Sequence, residues 1–290
     1  MDAHLVEVLI RTQAVEIAPA GEVFWYTSGT VGPYYINAHF VYGGPEAAGE
    51  LLAFIEARKN SEGFAAELRE CVCARCRVDP VYRDVIERLA AQVRRAAGGQ
   101  VDCISGGERR DWFFSAAVAE ELGLPHLMVY KDSALVLWEQ GRGQRVGHLG
   151  GRRTAHVADM VTQASSYLRT WIPAVEGAGG CMAYSANLVD RGQGGLQAIR
   201  SRGVPADALV TVGEGLFSRL VESGLIDESQ RQVLVAYLGD PHGAMRDFLR
   251  RHPGFLQRSL RSSDPRTVAR ARLLVEQNPY DLDLRDIGLW

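Results

Sequence analysis

Two loops in the sequence carry residues that could bind phosphate groups. The first follows a short apolar run and reads Ser105-Gly106-Gly107-Glu108-Arg109-Arg110. Glycines between a strand and a helix let backbone amides approach an anion, and arginines add charge-assisted hydrogen bonds to it. This loop predicts a phosphate or pyrophosphate site. The alternative for the loop alone is a tight turn with solvated arginines.

The second loop follows the apolar run that contains Asp159, and it carries Thr162, Ser165 and Ser166. Its hydroxyls and the first amides of the next helix could surround a phosphate monoester, while Asp159 could hold ribose hydroxyls or a hydrated metal ion. A Ser/Thr cluster also begins many helices as an N-cap. Taken alone, this loop is ambiguous.

Three cysteines, Cys71, Cys73 and Cys76, form a third group that could do chemistry, as thiolate ligands of zinc. A closed zinc site needs four ligands, and no second Cys/His pair follows at finger spacing. The other interpretation is a cysteine-rich turn before a helix that starts near Asp79-Pro80. The odd total of five cysteines argues against a disulfide framework.

The hydrophobic pattern indicates the elements that position these loops. Strands are predicted at short apolar runs, residues 101–105, 126–130, 154–161, 180–189 and 208–212. Helical periodicity occurs over residues 80–97, 111–122, 165–175 and 193–202. This alternation is typical of right-handed crossover units in a mostly parallel sheet. Because ligands bind at the carboxyl ends of such strands, we expect the loops to share one cleft.

Two further regions lie outside this alternation. Helices are predicted over residues 3–16 and 45–58, separated by a Gly- and aromatic-rich stretch of short strands. The C-terminal tail shows only helical patterns with Pro and Gly breaks. We therefore predict a first domain over residues 1–213, with a cysteine-containing insertion at 60–79, and a helical appendage over 214–290.

The composition and charge argue against nucleic acid and membranes as binding partners. The chain has 290 residues, 47% of them hydrophobic, and a formal net charge of −3. It can therefore bury a core, and it has no strongly basic surface for nucleic acid. The apolar runs fall far short of the ~20 residues of a membrane span, and the N-terminus lacks a signal-peptide pattern. We expect a cytoplasmic location and no nucleic-acid or membrane partner.

Five segments resemble, in order, the motifs of the orotate phosphoribosyltransferases. Residues 24–37, with Ser28-Gly29 and Pro33-Tyr34-Tyr35, are similar to the N-terminal segment of that family. The later segments resemble its pyrophosphate loop, the strand before its mobile catalytic loop, its phosphoribosyl pyrophosphate motif and its orotate-contacting segment, at residues 101–109, 129–131, 157–166 and 189–195. Five motifs in one order are more specific than any one of them, and they cover roughly residues 1–212.

The resemblance implies an α/β fold of the type I phosphoribosyltransferase kind: a mostly parallel sheet flanked by helices, with an N-terminal hood segment. It implies transfer of ribose 5-phosphate from phosphoribosyl pyrophosphate to orotate or a similar base, with Mg²⁺ carried by the pyrophosphate, and a homodimer. The residues that it marks are Gly106, Gly107, Glu108 and Arg109 for pyrophosphate, Thr162, Ser165 and Ser166 for the 5′-phosphate, Tyr34, Tyr35 and Arg191 for the base, and Asp159 and Lys131 for catalysis, Asp159 also holding Mg²⁺ indirectly.

The sequence departs from the family pattern in both catalytic segments. Ala158 replaces the first of two adjacent acidic residues, and Ala164 and Ser165 replace glycines whose positive φ would cost other residues roughly 1–2 kcal/mol each. The mobile-loop lysine is missing, and Arg142 or Arg145, which cannot act as general acids, would have to substitute for it. These departures favour a second hypothesis: a protein of this fold that binds a nucleotide or phosphoribosyl ligand as a sensor or partner subunit, without turnover.

Overall fold

The computed structural model describes residues 3–283, and residues 1–2 and 284–290 of the predicted domains lie outside this range. The strands are β1 Val15–Ile17, β2 Phe24–Trp25, β3 Val31–Gly32, β4 Tyr34–Ile36, β5 Cys103–Gly107, β6 His126–Val129, β7 Leu135–Glu139, β8 Arg142–Arg145, β9 Arg153–Val161, β10 Cys181–Asp190 and β11 Ala206–Thr211. The helices are α1 Ala3–Arg11, α2 Gly44–Arg58, α3 Phe64–Val78, α4 Pro80–Ala97, α5 Trp112–Leu122, α6 Ile172–Gly177, α7 Gly195–Ser201, α8 Glu214–Glu222, α9 Glu228–Gly239, α10 Pro241–Arg251, α11 Pro253–Leu260 and α12 Pro265–Gln277. A 3-10 helix, Ala38–Val41, precedes α2, and a π-helical segment, Tyr167–Trp171, precedes α6. No helix among the described residues is both long enough and apolar enough to cross a membrane.

One compact unit comprises α1 and Asn37–Val212, and it contains a seven-stranded sheet in the order β11-β10-β9-β5-β6-β7-β8. The five strands from β11 to β6 run parallel, whereas β7 is antiparallel to β6 and β8 is antiparallel to β7. The parallel strands are largely buried, as expected for a sheet flanked by helices. The predicted mostly parallel α/β sheet is confirmed.

Helix boundaries follow local signals where these are strong. The predicted helix at 80–97 is confirmed as α4, because the Asp79 side chain accepts the amide of Val81, Pro80 occupies the first turn and Gly98 ends the helix with φ +54°. The predicted cysteine-rich turn is wrong, since the cysteines lie on the fifteen-residue helix α3. The N-terminal helix ends at Arg11 rather than near residue 16, because β1 begins at Val15.

The chain after β6 forms a hairpin where the resemblance implies a mobile loop. The amide of Tyr130 donates to the carbonyl of Ala134 at 2.9 Å, which closes a tight turn that contains Lys131. β7 and β8 then pair across Gln140 and Gly141, both with positive φ, as in a two-residue hairpin turn. Arg142 and Arg145 lie at exposed positions on the edge strand β8.

The second compact unit combines Val15–Ile36 with the described residues from Gly213 onward. Its short strands pair as β1 with β4 and β2 with β3, both antiparallel. The ring of Tyr34 packs against Phe217 at 6.1 Å, and Trp25 stacks on Phe255 at 5.4 Å. The predicted first domain included residues 15–36, but their aromatic side chains pack with the helices of the tail.

Candidate functional site

A cleft of about 510 Å³ lies at the carboxyl ends of β5, β6 and β9. Its lining includes Glu108, Arg109, Lys131, Asp159, Thr162, Ser165 and Ser166, all marked in the sequence. β5 lies between β6 and β9, and parallel neighbours place their following loops at one edge of the sheet. The structure therefore brings the predicted pyrophosphate segment and the predicted 5′-phosphate segment into one cleft.

Gly106 and Gly107 are required by packing, which differs from their predicted role. A Cβ at Gly106 would collide with the side chain of Ser115 on α5, and a Cβ at Gly107 would collide with the indole of Trp171. Neither Gly106 nor Gly107 has a positive φ. Glycine occurs here because a helix and an aromatic ring lie directly against the end of β5.

The backbone amides of this loop are bonded within the chain. The amide of Gly107 donates to Oδ2 of Asp111 at 3.0 Å, and the amide of Glu108 donates to the carbonyl of Val129 at 2.8 Å. In this conformation neither amide is available to pyrophosphate, because each already has an acceptor, and pyrophosphate binding by Gly106, Gly107, Glu108 and Arg109 stays a prediction. The peptide bond between Glu108 and Arg109 is cis.

The carboxylate of Glu108 fastens the loop after β6. Its Oε1 accepts from Nζ of Lys59 at 2.7 Å, and its Oε2 accepts from the amide of Lys131 at 3.0 Å. Lys59 also donates to Glu56 at 3.0 Å, and Glu56 pairs with Arg109. The hydrogen bonds to Glu108 and then to Glu56 raise the pKa of Lys59. Glu108 therefore positions Lys131, and a direct contact between its carboxylate and pyrophosphate would be repulsive.

The loop after β9 presents hydroxyls to the cleft. Ser165 and Ser166 are exposed, and Thr162 is half-buried. Ala164 is buried and has φ +56°, the left-handed conformation in which the family pattern places glycine. The loop thus keeps part of the glycine backbone geometry with an alanine in place.

A π-helical segment continues this loop. The amide of Ile172 bonds to the carbonyl of Tyr167, five residues earlier, and Pro173 follows with no amide hydrogen to donate. The wider turn places the buried rings of Tyr167 and Trp171 on the wall of the cleft. Single π-helical turns of this kind frequently occur at functional sites.

Asp111 is a cleft residue that the sequence analysis missed. Its Oδ1 accepts the amide of Asp159 at 3.2 Å, and its Oδ2 accepts the amide of Gly107. Burial raises the pKa of Asp111 to about 7, and burial followed by the charge of Asp111 raises the pKa of Asp159. The pair therefore retains a proton at a pH at which exposed aspartates are ionised. The only signal for Asp111 in the sequence is its position as the first residue of the predicted helix 111–122.

A buried histidine lies behind this pair. Nε2 of His156 is 3.5 Å from Oδ2 of Asp111, and Nδ1 of His156 is 3.0 Å from Oγ of Ser105. The imidazole packs edge-on against Tyr167, with 4.9 Å between ring centroids. Burial lowers the pKa of His156 to about 3, so the ring is neutral at physiological pH.

The predicted base ligands lie in different units. Tyr34 is 1% exposed in the second unit, so its ring is a core residue and the predicted base contact is wrong in this conformation. The hydroxyl of Tyr35 donates to the carbonyl of Trp25. Arg191 follows β10 in the first unit, and its amide donates to the carbonyl of Val161 at 2.9 Å. Of the three, Arg191 lies at the sheet edge that carries the cleft.

The three clustered cysteines do not converge. On α3, Cys73 lies about 200° around the helix from Cys71, given the 100° turn per residue. Between residues 3 and 283 no three His, Cys, Asp or Glu side chains form a group that could hold a metal ion. Burial raises the pKa of Cys76 to about 12. The zinc interpretation is therefore wrong for the described residues.

Comparison with solved structures identifies the fold. UMP synthase from Leishmania donovani aligns with a TM-score of 0.55 at 18% identity, over 82% of this chain and 42% of that chain. Orotate phosphoribosyltransferase from Francisella tularensis aligns with a TM-score of 0.53 at 14% identity, over 81% of this chain and 96% of that chain. This chain has the type I phosphoribosyltransferase fold.

Sequence comparison finds relatives with one enzyme name. The chain is 34% identical over 167 residues to the orotate phosphoribosyltransferase of Agrobacterium fabrum, covering 57% of this chain and 56% of that protein. It is 27% identical over 173 residues to that of Rhizobium etli, covering 58% of each. It is 34% identical over 111 residues to that of Rhizobium rhizogenes, covering 37% of this chain and 46% of that protein. The chain spans about half the length of these relatives, and no family model matches it. The predicted resemblance to the orotate phosphoribosyltransferases is confirmed.

Proposed function

We propose that this chain transfers ribose 5-phosphate from phosphoribosyl pyrophosphate to orotate or a similar base, with release of pyrophosphate. The observation that carries the proposal is the meeting of cations, hydroxyls and a carboxyl pair in one cleft, formed by Arg109, Arg110, Lys131, Thr162, Ser165, Ser166, Asp111 and Asp159. The similarity to orotate phosphoribosyltransferases supports the substrate class.

The two loops bind different groups of phosphoribosyl pyrophosphate. The 5′-phosphate binds at the start of a helix, to the hydroxyls of Thr162, Ser165 and Ser166. The pyrophosphate binds through charge-assisted hydrogen bonds to Arg109, in the loop after β5, and to Lys131, in the loop after β6. The carboxyl group of Asp159, between the two loops, binds the ribose hydroxyls.

In the transfer, the bond between C1 of ribose and the pyrophosphate oxygen breaks, and a bond between C1 and a ring nitrogen of the base forms. The pyrophosphate leaves with the bonding electron pair, and the proton of the ring nitrogen is released to it. Because the ribose carries transient positive charge, positioning and charge stabilisation supply the rate enhancement. The cations of the cleft neutralise the leaving group.

Mg²⁺ is the proposed cofactor. Asp111 and Asp159 line the cleft with carboxyl oxygens, the ligand type that Mg²⁺ prefers while it retains several waters. This donor set fits a hydrated ion carried by the pyrophosphate, with Asp159 as an indirect ligand. When bound, the ion supplies neutralisation of the pyrophosphate charge.

The resemblance also supports a homodimer as the assembly. Sedimentation equilibrium of the full chain tests it, since a dimer doubles the measured mass. A monomer mass at all concentrations would contradict it.

A second candidate function is ligand binding without turnover, as a sensor or partner subunit. Two observations favour it. The amides of Gly107 and Glu108 are bonded within the chain, and an ordered hairpin follows Lys131 where a mobile catalytic loop would be needed. Binding of phosphoribosyl pyrophosphate without consumption of orotate would support this function over transfer.

Calorimetric titration with phosphoribosyl pyrophosphate and Mg²⁺, and then with orotidine 5′-monophosphate, tests both candidates. We expect binding of both ligands and loss of orotate absorbance when the substrates are combined. Asp159→Asn should abolish turnover, because it removes a carboxylate from the cleft. If neither ligand binds, both candidate functions are overturned.

A further inference from the structure

We propose that Asp111 supplies the second carboxylate of the ribose-binding pair beside Asp159, an inference that rests on the proposed function. The strand β9 delivers only one acidic side chain to the cleft, because Ala158 precedes Asp159. Ala158 is 1% exposed and packs among apolar core residues. Any second carboxylate at this point of the cleft therefore comes from another element.

Asp111 reaches the end of β9 from the start of α5. Its two oxygens accept the amides of Asp159 and Gly107, at 3.2 and 3.0 Å, so one side chain joins the ends of β9 and β5. Both aspartates line the cleft. Neighbouring carboxyl groups present a row of acceptors, which matches the two adjacent hydroxyl donors on the ribose of a ribose phosphate.

The direction of the Asp111 side chain is not that of a helix cap. Asp111 occupies the N-cap position of α5, yet its carboxyl group accepts no amide from that helix. It points to the strand ends, where the buried Nε2 of His156 faces it at 3.5 Å without a hydrogen-bond partner of its own. The other nitrogen of His156 is held by Ser105. A buried, neutral imidazole therefore lies beside Oδ2 of Asp111.

This assignment makes ribose recognition separable from phosphate recognition. The hydroxyls of a ribose phosphate contact the aspartate pair, and its phosphate contacts the loop after β9. Ribose 5-phosphate carries both groups, whereas inorganic phosphate lacks the hydroxyls. The two compounds therefore report on the two halves of the cleft without depending on the identity of the base.

The test is calorimetric titration of the full chain and its variants with ribose 5-phosphate and with inorganic phosphate. Asp111→Asn should weaken ribose 5-phosphate binding about tenfold or more, since a hydrogen bond to a charged group is lost, and should leave phosphate binding unchanged. The matched control is Asp102→Asn, because Asp102 also accepts an amide of β9, that of Arg153 at 2.7 Å, at the other end of the strand. The control should bind both compounds as the parent chain does.

Three outcomes would overturn the assignment. Unchanged binding of ribose 5-phosphate by Asp111→Asn would remove Asp111 from the site and leave the proposed function standing. Parallel loss of both compounds would show that Asp111 acts only by holding the loops. If the parent chain binds neither compound, the proposed function fails as well. Asparagine keeps the shape of the side chain, thermal unfolding checks the fold, and Asp111→Ser provides the same test if the first variant does not fold.

Discussion

The two loops that line the cleft differ in the groups that they present to it. In the loop after β5, the amides of Gly107 and Glu108 already have acceptors within the chain. The groups of this loop that can bind an anion are therefore the side chains of Arg109 and Arg110. In the loop after β9, exposed Ser165 and Ser166 begin a helix at the cleft wall. The first loop is held by packing and by internal hydrogen bonds, and the second presents exposed hydroxyls to the cleft.

This difference shows that a glycine-rich loop at a strand end has two physical explanations. Glycine at position 107 accommodates an indole ring, whereas Ala164 occupies a left-handed conformation without being glycine. Side-chain size restricts the first loop, and backbone conformation restricts the second. Substitutions at these two positions should therefore change stability in opposite directions.

The largest expected effect is that of Gly107→Ala. The added methyl group would collide with Trp171 and with the carboxyl group of Asp111, and overpacking of this kind costs about 1–3 kcal/mol. We expect the free energy of unfolding, measured by urea denaturation, to fall by that amount. Gly147→Ala is the control, because a Cβ at Gly147 would meet nothing within 4 Å. Equal stability of the two variants would show that packing does not restrict the loop after β5.

The core behind both loops should make stability depend on pH. His126 and His156 are buried, and burial lowers the pKa of each to about 3, from 6.5 for an exposed histidine. Between these values the unfolded chain binds more protons, so the free energy of unfolding falls as the pH falls, by about 1.4 kcal/mol per pH unit for each histidine. Asp111 and Asp159 act in the opposite direction, because their raised pKa values favour proton uptake by the folded chain.

A variant isolates the contribution of one histidine. His126→Gln removes one titrating ring, and its amide can keep the contact that Nε2 of His126 makes with Oγ of Ser115 at 2.9 Å. Urea denaturation at pH 7, 6 and 5 should show a pH slope smaller by about 1.4 kcal/mol per unit below the unfolded pKa. The aspartates cancel in the comparison of the two proteins. Identical slopes would contradict a neutral, buried His126.

Much of the fold could be predicted because its signals are local. Alternating apolar runs and helical periods gave the parallel sheet, and Asp79, Pro80 and Gly98 marked the limits of α4. The meeting of the loops after β5 and β9 followed from the rule that ligands bind at strand carboxyl ends. These inferences need only neighbours in the sequence and the handedness of the crossovers.

The rest depended on contacts between distant segments. The sequence pattern placed Asp111 at the start of a helix, and only the approach of β5 to β9 shows that its carboxyl group joins both strand ends. Gly107 fits an anion loop and a packed indole equally well in the sequence. Tyr34 matched a base-binding motif, but its ring is buried in the second unit. Residue type and spacing do not distinguish a ligand contact from a core contact.

The smallest expected effect, and the sharpest contrast with Gly107→Ala, is that of Ala164→Gly. Ala164 has φ +56°, which costs an alanine roughly 1–2 kcal/mol more than a glycine. The flexible unfolded state of glycine and the lost burial of the Ala164 methyl group offset most of this gain. We expect the free energy of unfolding to rise by about 0.5 kcal/mol, measured by urea denaturation beside the parent chain. Ala198→Gly in the helix α7 is the control and should lower stability by about 0.5–1 kcal/mol, since its backbone is helical. A loss of stability in both variants would show that position 164 does not hold the left-handed conformation in solution, and the contrast between the two loops would then rest on Gly107 alone.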